Sequence, residues 1–122
     1  MFSIFLWYYS FIPEFMADKR FFKYLNDNET ERLRFKIITS KGKVIDVVIQ
    51  YETFINGEWI PIVRYDCAHG YFHRDILNPD GSQNKLPIAI EELEIAVAYA
   101  EQELKDRWES YKENYFKKNY DK

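Results

Sequence analysis

From Leu93 onward the chain places an apolar residue at every third or fourth position: Leu93, Val97, Ala100, Leu104, Trp108, Tyr111 and Tyr115. Glu91, Glu94, Glu101, Lys105 and Lys112 fall in the directions between them. That spacing predicts a long helix with one buried side. Glu91, Glu92 and Glu94 near its start and Lys117 and Lys118 near its end also suit the helix dipole. The constraint reaches upstream, because a helix with a single apolar stripe needs a broad apolar surface to cover. In a chain of 122 residues there is room for one such core and no second domain of ordinary size.

The preceding segments read as the sheet that supplies this surface. Leu33, Phe35 and Ile37 alternate with Arg34 and Lys36, as in a strand buried on one side. Lys41-Gly42 makes a tight connection into a second strand, where Ile45, Val47, Ile49 and Tyr51 oppose Asp46, Gln50 and Glu52. Asn56-Gly57 is a hairpin turn signal, since both residues tolerate positive φ. The third strand, EWIPIVRYD, contains Pro61, which lacks an N–H and so belongs at an edge or at a ladder irregularity. A fourth strand is expected from Tyr71 to Leu77, after a turn at Cys67-Ala68-His69-Gly70 and before Asn78-Pro79-Asp80-Gly81. Near the N-terminus, Pro13 and the spacing of Phe15, Phe22 and Leu25 suggest a short helix. The expected fold class is therefore α+β: an antiparallel four-stranded meander packed against a long C-terminal helix, with a short N-terminal helix. Residues 1–30 read as an aromatic N-terminal extension carrying that helix, and residues 31–122 as a single α+β domain.

Ten Tyr, ten Phe and three Trp make the apolar fraction unusually aromatic, which favours an interface as well as a core. The opening run MFSIFLWYYSFIPEF is broken by Ser3, Ser10 and Pro13 and is too short to cross a bilayer, so no integral membrane segment is expected. A formal charge of -3 counts against a general electrostatic grip on DNA, although a few local arginines can still position a phosphate. Cys67 is the one cysteine; it excludes an internal disulfide and a multi-thiolate metal site and fits a reducing, cytoplasmic setting. The glycines are scattered, so no phosphate-cradling loop and no cofactor motif is present.

Chemistry is concentrated in VRYDCAHGYFHRDILNPDG, which holds both histidines of the chain. The candidate catalytic residues are Arg64, Asp66, His69, His73, Arg74 and Asp75. On a regular strand His73 and Asp75 share a face, so Asp75 can orient the imidazole, as can Asp66 across the hairpin. One histidine removing a proton from a 2′-hydroxyl, the other protonating the leaving oxygen, and Arg64 or Arg74 stabilising the phosphate would cleave an RNA phosphodiester. Tyr65 or Tyr71 would then stack on a base. A structural reading stands beside it, in which His73 is a hydrogen-bonded core histidine, the arginines and aspartates form a cross-strand ion-pair network, and both tyrosines pack. Register decides which groups meet. A four-residue turn pairs Asp66 with Tyr71 and Arg64 with His73, and puts Arg64, Asp66, His73 and Asp75 on one face; a shift by one residue separates them. His69, His73 and one carboxylate also have the ligand types for a transition metal, though not a recognised helical spacing, so metal use stays open.

RYDCAHGYFHRDIL, followed by NPDG and the long helix, resembles a family of small uncharacterised prokaryotic proteins with a centre of the form RYD-x-AHG-x-x-HRD. The matching residues are Arg64, Tyr65, Asp66, Ala68, His69, Gly70, His73, Arg74 and Asp75, and the likeness covers about Arg32 through Tyr115. More loosely, the strand-rich body, the histidine-bearing hairpin and the final helix resemble TumE-type toxins, partners of nucleotidyltransferase-like antitoxins. That resemblance implies an RNA substrate and an antitoxin-like protein partner. The alternative is a non-enzymatic interaction domain whose aromatic N-terminus and long helix bind a partner or a second copy as a homodimer.

Overall fold

The computed structural model describes residues 15–120. It contains six strands in one antiparallel sheet, ordered as they occur in the chain: β1 (Met16–Tyr24), β2 (Glu31–Ser40), β3 (Lys43–Ile55), β4 (Glu58–Asp66), β5 (His73–Leu77) and β6 (Gln83–Pro87). A 3-10 turn at Ala68–Gly70 lies between β4 and β5, and the helix α1 runs from Leu93 to Tyr120. No described helix is long and apolar enough to cross a membrane.

The hairpins form where the turn residues demand them. Asn56 and Gly57 both take positive φ, 54° and 81°, and Lys41 and Gly42 do the same at 52° and 78°. Those pairs give tight turns whose twist matches the flanking strands. Pro61 falls at a register irregularity, where Tyr51 faces Val63 but Glu52 faces Pro61, so its missing N–H is accommodated.

Two elements differ from the sequence-based expectation. Among the described residues there is no N-terminal helix; Met16–Tyr24 is a strand paired with β2 along its whole length, inside the segment expected as an extension. Phe21 stacks on Phe35 of β2 at 4.7 Å, so the aromatics alternate between faces rather than sharing one. A short run with few apolar residues fits both periods, and pairing with β2 decides between them. Pro13 lies outside the described residues. The sheet also has six strands instead of four, because β6 pairs with β5 in addition to β1 joining β2. Every residue of β6 is exposed, so it carries no apolar alternation by which to recognise it.

α1 covers one face of the sheet. Ala96, Ala100 and Leu104 pack against Leu33, Phe35, Val47, Ile49, Tyr51, Val63 and Tyr65 in the buried core. The two alanines let the helix backbone approach the sheet, while Trp108 meets Tyr51 edge-on at 6.1 Å. Further along, Tyr51 donates its hydroxyl to Glu31 at 2.6 Å and Lys112 of α1 reaches the same carboxylate at 2.9 Å. Burial pushes the Glu31 pKa up, but the hydrogen bonds from Tyr51, Lys112 and Thr53 outweigh it and leave it below the ordinary value of 4.5.

Truncating Leu104 to Ala leaves a cavity at the centre of this interface, and urea unfolding should show a loss of about 2–5 kcal/mol. Because Glu31 has a depressed pKa in the fold, its stabilising contribution is present above the ordinary value of 4.5 and drains as pH falls below it. Thermal melts of Glu31→Gln should therefore depend less steeply on pH below that value than those of the unsubstituted protein.

Candidate functional site

With one helix on one face, the polar strand residues collect on the other. The register puts Arg32, Arg34, Gln50, Glu52 and Arg64 there in adjacent rows. Glu52 accepts from Arg32 Nε at 2.8 Å, Arg34 Nε at 3.0 Å and Gln50 Nε2 at 2.6 Å, and Arg64 Nε donates to Gln50 Oε1 at 2.8 Å. Burial pushes the Glu52 pKa up, yet the bonds from Arg32, Gln50 and Arg34 hold it below the usual carboxylate value. Arg32 is also sandwiched between the rings of Phe22 and Trp59, at 4.0 and 3.8 Å from their centroids.

The same face continues into a second cluster at the β4–β5–β6 end. β4 and β5 pair Asp66 with His73 and Arg64 with Asp75, and β5 and β6 pair Asp75 with Lys85. This keeps Arg64, Asp66, His73 and Asp75 on one face, as the four-residue turn would, but slid along by two positions. The longer connection arises locally: Asp66 Oδ1 accepts from Ala68 N–H at 3.2 Å, Gly70 N–H donates to Cys67 O at 3.3 Å, and Gly70 takes φ of 85°.

His73 Nε2 lies 2.8 Å from Asp66 Oδ1 and 3.2 Å from Asp75 Oδ2. Its Nδ1 lies 3.2 Å from the carbonyl of Tyr71, an acceptor suited to an N–H at Nδ1, and its Nε2 faces the two carboxylates. Lys85 Nζ approaches both His73 Nε2, at 3.2 Å, and Asp75 Oδ1, at 3.6 Å. His73 and Asp75 are 1% and 3% exposed, so Asp66 and Lys85 form the solvent side of the cluster. Asp75 Oδ1 is buried and accepts no hydrogen bond from any described group.

The structure brings Asp66, His73 and Asp75 together, while the described side-chain bonds of Arg64 and Arg74 run to other groups. The Arg64 guanidinium is directed across the sheet to its β3 neighbour Gln50. Arg74 points to the helix side, where it donates to Tyr111 Oη at 3.0 Å; Tyr111 and Tyr65 in turn bond Glu103. Burial, then Glu103, pushes the Tyr111 pKa up to about 12. The backbone of His69 lies in the 3-10 turn, and its side chain is outside the described structure. Tyr65 is buried in the core, whereas Tyr71 is exposed, its ring 5.3 Å from that of His73. The Cys67 thiol lies 3.1 Å from Asp46 Oδ1, and burial followed by that contact raises its pKa, which disfavours a nucleophilic thiolate. Lys85 was not legible as a site residue, because nothing in QNKLP announces a strand paired with β5.

A cavity of about 790 Å³ lies beside the cluster, lined by Ile45, Cys67, Tyr71, Phe72, Ile88 and Leu93 among others. None of Asp66, His73, Asp75 and Lys85 lines it. The titratable groups and the apolar hollow are thus neighbours without being one site.

Searches of curated proteins and of solved structures return no match to this chain. A family model described as a domain of unknown function, DUF7718, matches residues 16–121, from the first residue of β1 through the end of α1. The chain belongs to that family.

Proposed function

We propose that this protein is a partner-binding subunit of toxin-like type, which accepts an extended segment of another protein as an added strand along β1. The observation that carries this reading is the edge itself. β1 is nine residues long, all but its first residue is exposed, and no described strand pairs with its outer side. Phe15 O accepts from Lys41 N–H and Leu25 N–H donates to Glu31 O, so odd-numbered positions bond inward to β2. By alternation Met16, Asp18, Arg20, Phe22 and Tyr24 present their backbone N–H and C=O groups outward. Phe22 and Tyr24 are 48% and 47% exposed beside those groups and offer rings for a partner's side chains.

The other edge is a poorer acceptor, since β6 has five residues and ends at Pro87. β1 carries Lys19, Arg20 and Lys23 against Asp18, so the complementary segment is acidic. The resemblance to TumE-type toxins supports an antitoxin as the source of that segment. The test is co-expression with the product of the adjacent gene, followed by hydrogen exchange on the purified complex. Protection should concentrate on the even-numbered amides of β1, and Arg20→Pro should weaken binding by about tenfold or more while keeping the β1–β2 ladder. A complex protected only elsewhere would refute strand addition, and concentration-dependent self-association with the same protection would identify a second copy as the occupant.

A second reading, RNA processing, is favoured by the convergence of Asp66, His73, Asp75 and Lys85 beside the exposed ring of Tyr71. His73 would act as the acid or base, with Lys85 against the phosphate and Tyr71 against a base. It ranks below partner binding because His73 is closed from solvent and neither Arg64 nor Arg74 directs its described bonds to the cluster. In this reading, metal-independent cleavage of a single-stranded RNA falls by about a hundredfold or more in folded His73→Ala protein. Equal cleavage by both proteins removes His73 from the chemistry.

A further inference from the structure

We infer that Asp66, His73 and Asp75 form a binding site for a first-row divalent cation, with Lys85 occupying the place of the ion when the metal is absent. One ligand atom from each residue lies within 4.8 Å of the other two. A tetrahedral ion with bonds of about 2.0–2.1 Å needs its ligand atoms about 3.3 Å apart. His73 Nε2 is already 2.8 Å from Asp66 Oδ1 and 3.2 Å from Asp75 Oδ2, within tenths of an ångström of that spacing, and the two carboxylates stand within 4.8 Å of each other, a gap that a change of side-chain torsion can adjust.

Two features point to a cation rather than to a bare hydrogen-bonded triad. The contact from His73 Nδ1 to the Tyr71 carbonyl is the outer arrangement that typically orients a metal-bound imidazole, leaving the Nε2 lone pair for the ion. Asp75 is 3% exposed, yet its Oδ1 accepts no hydrogen bond and has Lys85 Nζ at 3.6 Å. A buried carboxylate oxygen left in this state is costly, and a divalent charge at the cluster compensates it directly. The Lys85 ammonium touches both His73 and Asp75, but its side chain is 37% exposed and can withdraw along its flexible stem. Two carboxylates and one imidazole suit Zn²⁺, Co²⁺ or Mn²⁺, and leave a coordination position open toward Lys85.

This inference is independent of strand addition at β1. In the RNA reading it would replace His73 as the proton acceptor, because the metal uses the same nitrogen. The test is calorimetric titration of the chelator-treated full chain with Zn²⁺, together with the visible spectrum of the Co²⁺ form. The expected result is one ion per chain and a Co²⁺ spectrum with nitrogen and oxygen ligation. Asp66→Asn should weaken binding by about tenfold or more, and Lys85→Ala, which removes the competing ammonium, should tighten it by a comparable factor. Absence of binding to both the unsubstituted protein and Lys85→Ala overturns the site. So does binding that neither substitution changes, since the ion would then lie elsewhere.

Discussion

A single helix can cover only one face of a six-stranded sheet, and the rest of this structure follows from that limitation. On the covered face the requirement is volume: Ala96 and Ala100 bring α1 close, and Leu104, Tyr51 and Phe35 fill the space between. On the opposite face there is no apolar layer from the helix, so polar side chains must satisfy one another laterally. Glu52 illustrates the result. It gathers Arg32, Arg34 and Gln50 from its own and the neighbouring strand, and Gln50 passes the network on to Arg64. Each partner compensates part of the cost of burying the carboxylate.

The His73 cluster belongs to the same lateral system but is less completely satisfied. Glu52 has a donor for both oxygens, whereas Asp75 has an oxygen without one and shares a single lysine with His73. That imbalance distinguishes a cation-binding candidate from an ordinary ion-pair network. Burial bears on the same cluster, because an imidazole 1% exposed offers a macromolecular substrate little approach. The edge of β1 poses the opposite situation: its backbone groups are well placed for a partner and are not covered by another described strand.

The parts legible in the sequence are those governed by local rules. Asn56-Gly57 and Lys41-Gly42 specify turns through positive φ, and the apolar spacing from Leu93 to Tyr115 specifies the helix and its buried side. The relation of His73 to Asp75 followed equally from the period of a strand. β1 carries no unambiguous strand signal, because Phe15, Phe22 and Leu25 permit a helical spacing when considered alone; stacking of Phe21 on Phe35 reveals the competing arrangement. β6 is not legible in the sequence, because a fully exposed strand has no buried side to mark it.

The sequence by itself determined the hairpins at Lys41-Gly42 and Asn56-Gly57, the amphipathic helix and the face on which each residue of an isolated strand would fall, because these depend on backbone preferences and short repeats. Only the tertiary structure decided that Asp66 would stand opposite His73, that Lys85 would join them, and that Arg74 would turn to Tyr111 on the other side. Those outcomes depend on strand register and on pairing with an edge strand that lacks a hydrophobic pattern. A slide by two positions preserves every face and changes every neighbour, so periodicity cannot distinguish the alternatives.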